Sequence, residues 1–307
     1  MKSVSISKLK NFKHCPLSYL YTYVDKFSPV EKQPIWVQSK GLVLHQVFED
    51  LLKYENYKDS ETPGLPYRVA SQEVVLEAFK KAMQENDMPI EKAIEFNLKL
   101  GLKRWLSFKH DYLDKTEHVM HAEKQYNEVL FGDTKTITIL DLLEDCGDGN
   151  YIIYDYKTPK SVDVSRYKDQ LLLYAYTVAC IKGVIKPGSE DYEKVAEHFR
   201  VFVFFPLVTG NFETYEKCLK EVSFTAEDVA DVMHDIVKTC DVIDGFDFSR
   251  PAEVLQLSCP DFQCKWCTFC GSKAQFELKS KSGRPFEGCP ITAFMGMEAV
   301  ASEFQAV

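Results

Sequence analysis

The chain has no apolar run of the roughly 18 residues that a membrane-spanning helix requires, so no span is expected. Its first ten residues, M-K-S-V-S-I-S-K-L-K, place no apolar segment after the lysines, so no secretory leader is expected either. No G-x-x-x-x-G-K-[S/T] occurs, which excludes a P-loop nucleotide hydrolase. Positive charge is also short: 37 Lys and Arg stand against 46 Asp and Glu, for a net charge of −9. That balance excludes a protein that coats polyanions through its overall charge. It leaves room for a local basic groove.

The 307 residues are 45% hydrophobic and 27% charged, ordinary values for a globular chain that builds one large core or a core with an attached helical part. Ten cysteines are many for a chain with no export signal. In a reducing compartment such clusters point to metal binding or catalysis more than to disulfides. Cys15, Cys146, Cys180, Cys218 and Cys240 are scattered, Cys289 stands alone, and four fall between Cys259 and Cys270.

The middle of the chain, I-L-D-L-L-E-D-C-G-D-G-N-Y-I-I-Y-D-Y-K-T-P-K from Ile139 to Lys160, predicts a β-hairpin. Apolar runs flank a Gly147-Asp148-Gly149-Asn150 turn, the composition such turns favour. Asp155 and Lys157 are two apart and share a strand face. Asp141, on the partner strand, is within reach of that face. Two carboxylates beside a lysine suit a hard divalent cation held through oxygen. Such a cation polarises a phosphoryl oxygen and activates water, while the ammonium orients that water or stabilises developing charge. A bare D-x-K is also found on hairpins that merely face solvent.

Around this hairpin the pattern predicts a mixed α/β sheet with extra helices. Ser5 or Ser7 caps a short helix that breaks at Cys15-Pro16, and a second helix follows. Helices are expected over 37–54, with His45 and Glu49 on one face, and over 70–85 and 90–112. In the last of these, Lys103, Arg104 and Lys109 form a solvated or nucleic-acid-facing edge. A strand over 118–130 carries Glu123, by itself a strand-end charge. A helix over 165–182 aligns Gln170 and Tyr174, with Tyr167 on the same stripe. Strands over 199–207 and 212–222 flank a Thr209-Gly210-Asn211 turn, and Thr225 caps a final helix. The expected parts are an N-terminal segment 1–36, a helical part 37–116, a core 117–245 and a C-terminal cysteine segment 246–307.

Cys259, Cys264, Cys267 and Cys270 follow the spacing C-x4-C-x2-C-x2-C. C-x2-C-x2-C is a run that wraps an iron–sulfur cluster, and four clustered thiolates also suit Zn²⁺. Ligand softness does not separate the two. Lys273, Lys279, Lys281 and Arg284 beyond it form a basic patch or a solvated tail.

Taken in order, G-L-V-L-H45-Q, Asp141, Asp155-Tyr156-Lys157 and D-Q170-L-L-L-Y174 resemble the PD-(D/E)XK nuclease superfamily and its RecB-like group. S-x-x-K-L-x-x-F-x-x-C15-P-L-x-Y-x-Y and C264-K-W-C267-T-F are similar to the branch that carries a 4Fe-4S cluster, including the CRISPR-associated type. The resemblance implies a restriction-endonuclease-like mixed central sheet flanked by helices, with a helical insertion and a metal-cluster staple joining the terminal segments. It implies Mg²⁺ or Mn²⁺ on His45, Asp141, Asp155 and the backbone carbonyl of Tyr156, with Glu123, on the strand before Asp141, an added candidate for the metal shell. Lys157 would position the attacking water, and Gln170 and Tyr174 would touch the phosphate. The cluster would take Cys15, Cys264, Cys267 and Cys270.

Two departures stand out. Thr138-Ile139-Leu140 occupies the place where the family keeps a glycine before the first aspartate. The family's last cysteine falls near Lys273, so Cys270 or Cys259 must replace it, and a Zn²⁺ site of Cys259, Cys264, Cys267 and Cys270 without Cys15 stays open. The implied activity is a DNA exonuclease on single strands or DNA ends, in recombination, repair or phage genome processing. It would work in the cytoplasm (a host's, for a phage protein), with any helicase or recombination partner a separate protein. The competing expectations are a catalytically silent DNA-binding scaffold on the same fold and a nuclease serving CRISPR adaptation.

Overall fold

The structure is a computed structural model, and it describes residues 3–27, 36–54, 70–131, 134–210, 213–250 and 269. The four cysteines from Cys259 to Cys270 and the basic residues Lys273, Lys279, Lys281 and Arg284 lie outside the described residues. The chain divides into two compact units, one of residues 1–33 and 235–307, the other of residues 34–234.

The smaller unit opens with β1 (Ser3–Val4), α1 (Ile6–His14) and α2 (Pro16–Tyr19). Ser5 accepts the Lys8 N–H and caps α1. Pro16 cannot continue that helix, so the chain restarts at Cys15, whose sulfur receives the Ser18 N–H at 3.5 Å. Cys15, Leu17, Leu20, Tyr21, Phe27 and Phe269 form one apolar cluster, joined by Phe246 and Phe248.

The larger unit contains α3 (Trp36–Tyr54), α4 (Gln72–Glu85), α5 (Ile90–Glu95), α6 (Leu98–Asp111), β2 (Val119–Phe131), β3 (Thr134–Gly147), β4 (Asn150–Tyr156), α7 (Lys168–Ile181), α8 (Tyr192–His198), β5 (Phe199–Phe204) and β6 (Leu219–Glu221). The division between units falls within α9 (Ala226–Asp244). That helix starts on the expected cap: Thr225 Oγ1 accepts the Asp228 N–H at 3.2 Å, and Asp228 accepts the Thr225 N–H at 2.8 Å.

The predicted hairpin is β3 and β4, with Asp148 and Gly149 at φ 51° and 76°, the positive values that a tight antiparallel turn needs. β2 pairs with β3 and β3 with β4, both antiparallel. β5 then runs parallel to β4, and β6 returns antiparallel to β5. The result is a mixed open sheet flanked by helices, as expected of a restriction-endonuclease-like fold. A parallel neighbour for β4 requires a crossover, and α7 and α8 supply it.

Alternation along the strands gives each face its task. Leu142, Ile152, Tyr154, Tyr156 and Phe204 join the core built by α3 and α6. There Phe48 stacks on Trp105 at 4.5 Å, and Tyr156 meets Phe48 edge-on at 5.2 Å. Gly101 lets α6 close in, since a Cβ there would stand 2.8 Å from Leu207 and 3.2 Å from Leu44.

Three expectations are corrected. The single helix over 90–112 is two, because Asn97 takes a left-handed conformation at φ 56°, one that asparagine tolerates. The strand over 212–222 shortens to β6, and β5 stops before Pro206, which has no N–H to give to a ladder. Arg104 holds the chain beyond β5. Its guanidinium is fully buried and donates to the carbonyls of Pro206, Val208 and Gly210, each at 2.8 Å. These carbonyls serve a side chain instead of a strand partner. Arg104 is therefore neither solvated nor available to nucleic acid. Lys109, also buried, is paired with Asp114 at 2.8 Å.

Candidate active site

The site begins with strand register. Ala122 pairs with Leu142 and Lys124 with Leu140, which puts Glu123 opposite Asp141. Leu142 pairs with Tyr154, so one step further Asp141 stands opposite Asp155. Three carboxylates from three adjacent strands thus form one row across the sheet. At Glu123 the backbone turns left-handed, φ 46°, and the ladder is interrupted there. A non-glycine residue in that region costs energy and is held by its surroundings.

His45 comes to this row from α3. Its Nε2 lies 2.9 Å from the Tyr156 carbonyl oxygen, and its Nδ1 lies 3.1 Å from Asp141 Oδ1 and 3.9 Å from Glu123 Oε1. A carbonyl and a carboxylate can only accept, so the doubly protonated imidazolium fits both contacts. Burial opposes that charge, but the Asp141 carboxylate outweighs it and raises the His45 pKa. Burial likewise disfavours a charged Asp141, yet the His45 imidazole and the Lys157 ammonium hold its pKa below the ordinary value. Asp141 Oδ2 also accepts the Tyr156 N–H at 2.5 Å. Both the N–H and the carbonyl of Tyr156 therefore face the site.

Lys157 follows directly on β4. Its N–H donates to the Phe204 carbonyl at 2.9 Å, and its ammonium lies 2.6 Å from Asp155 Oδ2 and 5.4 Å from the centre of the Tyr167 ring. Burial pulls the Lys157 pKa down, but Asp155 and Asp141 prevail and raise it. Asp155 is almost wholly buried, and desolvation pushes its pKa up to about 6 against the pull of Lys157. Glu123 rises to about 7, through burial first and the Asp141 charge second. On α7, Gln170 donates to the Tyr174 hydroxyl at 2.5 Å. The Asp155 charge reaches Tyr174 and, after burial, is the next cause of its raised pKa.

The structure thus brings together His45, Asp141, Asp155, Tyr156 and Lys157, with Gln170 and Tyr174 beside them. Glu49 pairs with Lys53 and not with His45. Glu123, a candidate metal ligand by resemblance, joins the group; its register opposite Asp141, which the sequence alone does not give, puts it there.

His45, Glu123 and Asp141 each offer a ligand atom, and all three lie within 4.8 Å of one another. The donors are carboxylate oxygens and one imidazole, a set that suits Mg²⁺ or Mn²⁺.

A D-x-K strand beside an aspartate strand, with a helix-borne histidine, on a mixed sheet defines a metal-dependent nuclease. The sequence model of the PD-(D/E)XK nuclease superfamily matches residues 3–272, and the chain belongs to that superfamily. Nucleases of this superfamily use divalent metals. Among curated proteins none matches the chain. Among the described residues no helix is long and apolar enough to cross a membrane.

Proposed function

We propose that the chain is a Mg²⁺- or Mn²⁺-dependent deoxyribonuclease that acts as an exonuclease on single-stranded DNA or DNA ends. The observation that carries this is the convergence of His45, Glu123 and Asp141 donors within 4.8 Å, next to the Asp155–Lys157 pair at 2.6 Å. His45, Asp141, Asp155 and the Tyr156 carbonyl would hold the ion, with Glu123 as an additional ligand. When bound, a divalent cation polarises a phosphoryl oxygen and makes water a stronger nucleophile.

The remaining work falls to the chain's own groups. Lys157 keeps its charge next to Asp155 and Asp141, so its ammonium can orient an attacking water and face the charge that develops on phosphorus-bound oxygen. Gln170 and Tyr174 form a hydrogen-bonded pair that can contact a non-bridging phosphate oxygen. Labelled single-stranded DNA incubated with Mg²⁺ or Mn²⁺ tests this. Lys157→Ala is expected to slow cleavage roughly 100- to 1000-fold, the scale of losing one positioned charge. Equal rates for wild type and variant would refute the assignment.

A 4Fe-4S cluster on Cys15, Cys264, Cys267 and Cys270 belongs to the same proposal, with Zn²⁺ as the other metal suited to thiolates. Its support is that Cys15 shares an apolar cluster with Phe269, the residue directly before Cys270. The biological setting proposed is recombination, repair or phage genome processing, in the cytoplasm of a cell or of a phage host. A separate helicase or recombination protein would supply the DNA ends.

A further inference from the structure

Three residues along β3 from Asp141, about 10 Å at the rise of a strand, a second group of donors converges. Glu144 is fully buried. Its Oε1 lies 2.5 Å from His118 Nδ1, and its Oε2 accepts the Tyr154 hydroxyl at 2.7 Å. The Tyr112 hydroxyl lies 3.4 and 3.5 Å from the two oxygens. Cys146, two residues on, shares the side of the strand that Glu144 faces. Ligand atoms of His118, Glu144 and Cys146 all lie within 4.8 Å of one another.

The register explains the meeting. Met120 pairs with Glu144 and Val119 with Asp145, so His118, just before β2, stands opposite Cys146. The β3–β4 pairing shifts between Asp145 and Gly147, which places Cys146 in an irregularity of the ladder.

We propose that His118, Glu144 and Cys146 form a zinc site with its fourth position open to water. A buried carboxylate calls for partners, and here the imidazole of His118, a half-exposed side chain, lies directly against it. The phenols of Tyr154 and Tyr112 orient the carboxylate from behind, as outer-shell groups do around metal ligands.

One nitrogen, one oxygen and one sulfur suit Zn²⁺, whereas the hard ions Mg²⁺ and Mn²⁺ avoid thiolate. The site therefore differs from the His45 site in the metal it selects. Tetrahedral zinc with bonds of about 2.0–2.3 Å sets its donors roughly 3.3–3.8 Å apart, so the direct His118–Glu144 contact must open to admit the ion. His118, at the rim, can turn to do this while Glu144 stays fixed. A bound ion would clamp the start of β2 to the end of β3 and so hold the register that sets Glu123 against Asp141.

Zinc content tests this on the full chain, measured by mass spectrometry after dialysis against Zn²⁺ and then against metal-free buffer. Other cysteines can hold metal in every version, so the difference between versions is what counts. Wild type is expected to exceed His118→Ala and Cys146→Ser by one zinc per chain, while His118→Cys keeps that zinc. Circular dichroism checks that each variant is folded. With Co²⁺, the single-thiolate charge-transfer band of this site is expected to vanish in Cys146→Ser. Equal zinc content in wild type and folded His118→Ala overturns the proposal. Should Cys146→Ser not fold, His118→Ala, a change at a half-exposed side chain, decides the matter alone.

Discussion

Asp155 and Lys157 are separated by one residue, and both have raised pKa values for different reasons. Desolvation lifts the carboxyl to about 6, while the two nearby carboxylates override burial and keep the ammonium charged. Glu123, at about 7, is displaced further from its ordinary value. The sign for stability follows from proton binding. Folded Glu123 and Asp155 keep protons at pH values where the unfolded chain has lost them, so their contribution falls as pH rises from the ordinary carboxylate range to about 7. The raised His45 pKa acts in the same direction: its contribution is present below the unfolded value and is lost as pH rises through the folded one. In EDTA, the melting temperature is expected to fall between about pH 5 and about pH 8. Glu123→Gln should flatten that decline. An unchanged pH profile in the variant would show that Glu123 does not titrate as described.

At the level of the strand, Glu123 is a site residue placed by an unfavourable backbone. Glu123→Gly removes both the left-handed strain and a half-buried carboxylate. It is expected to stabilise the ion-free chain by about 1 kcal/mol while weakening Mn²⁺ binding and cleavage. Thermal melts with and without Mn²⁺ would reveal the two effects with opposite signs. Arg104 performs the corresponding task for the segment after β5. Arg104→Met retains much of the apolar stem but strips three carbonyls of their donor. A loss on the order of 3 kcal/mol is expected in denaturant unfolding. A change below about 1 kcal/mol would mean that the segment from Pro206 to Gly210 is held by other contacts.

For the molecule as a whole, the proposed cysteine staple is the largest remaining element. Metal binding adds directly to folding free energy. Purified without oxygen, the chain is expected to be brown, with broad visible absorbance, and Cys15→Ala should lose iron and melt at lower temperature. A colourless protein with equal zinc content in wild type and Cys15→Ala would assign the metal to Cys259, Cys264, Cys267 and Cys270 instead.

Several features followed from order along the chain alone. The turn at Gly147 to Asn150 was legible because positive φ angles select Gly and Asp. Asp155 and Lys157 shared a face because strand periodicity is two, and the D-x-K motif, the helix-borne His45 and the Gln170–Tyr174 stripe kept their family order. Other features depended on residues far apart in sequence. Arg104 looked like a surface cation in its own helix, and only the carbonyls about a hundred positions later made it a buried structural donor. Glu123, and His118 with Glu144 and Cys146, acquired partners only when β2 was set against β3. Periodicity and covalent spacing act over a few residues and are written in the chain. Register, burial and the charges they bring together arise from long-range packing, and the fold alone decides them.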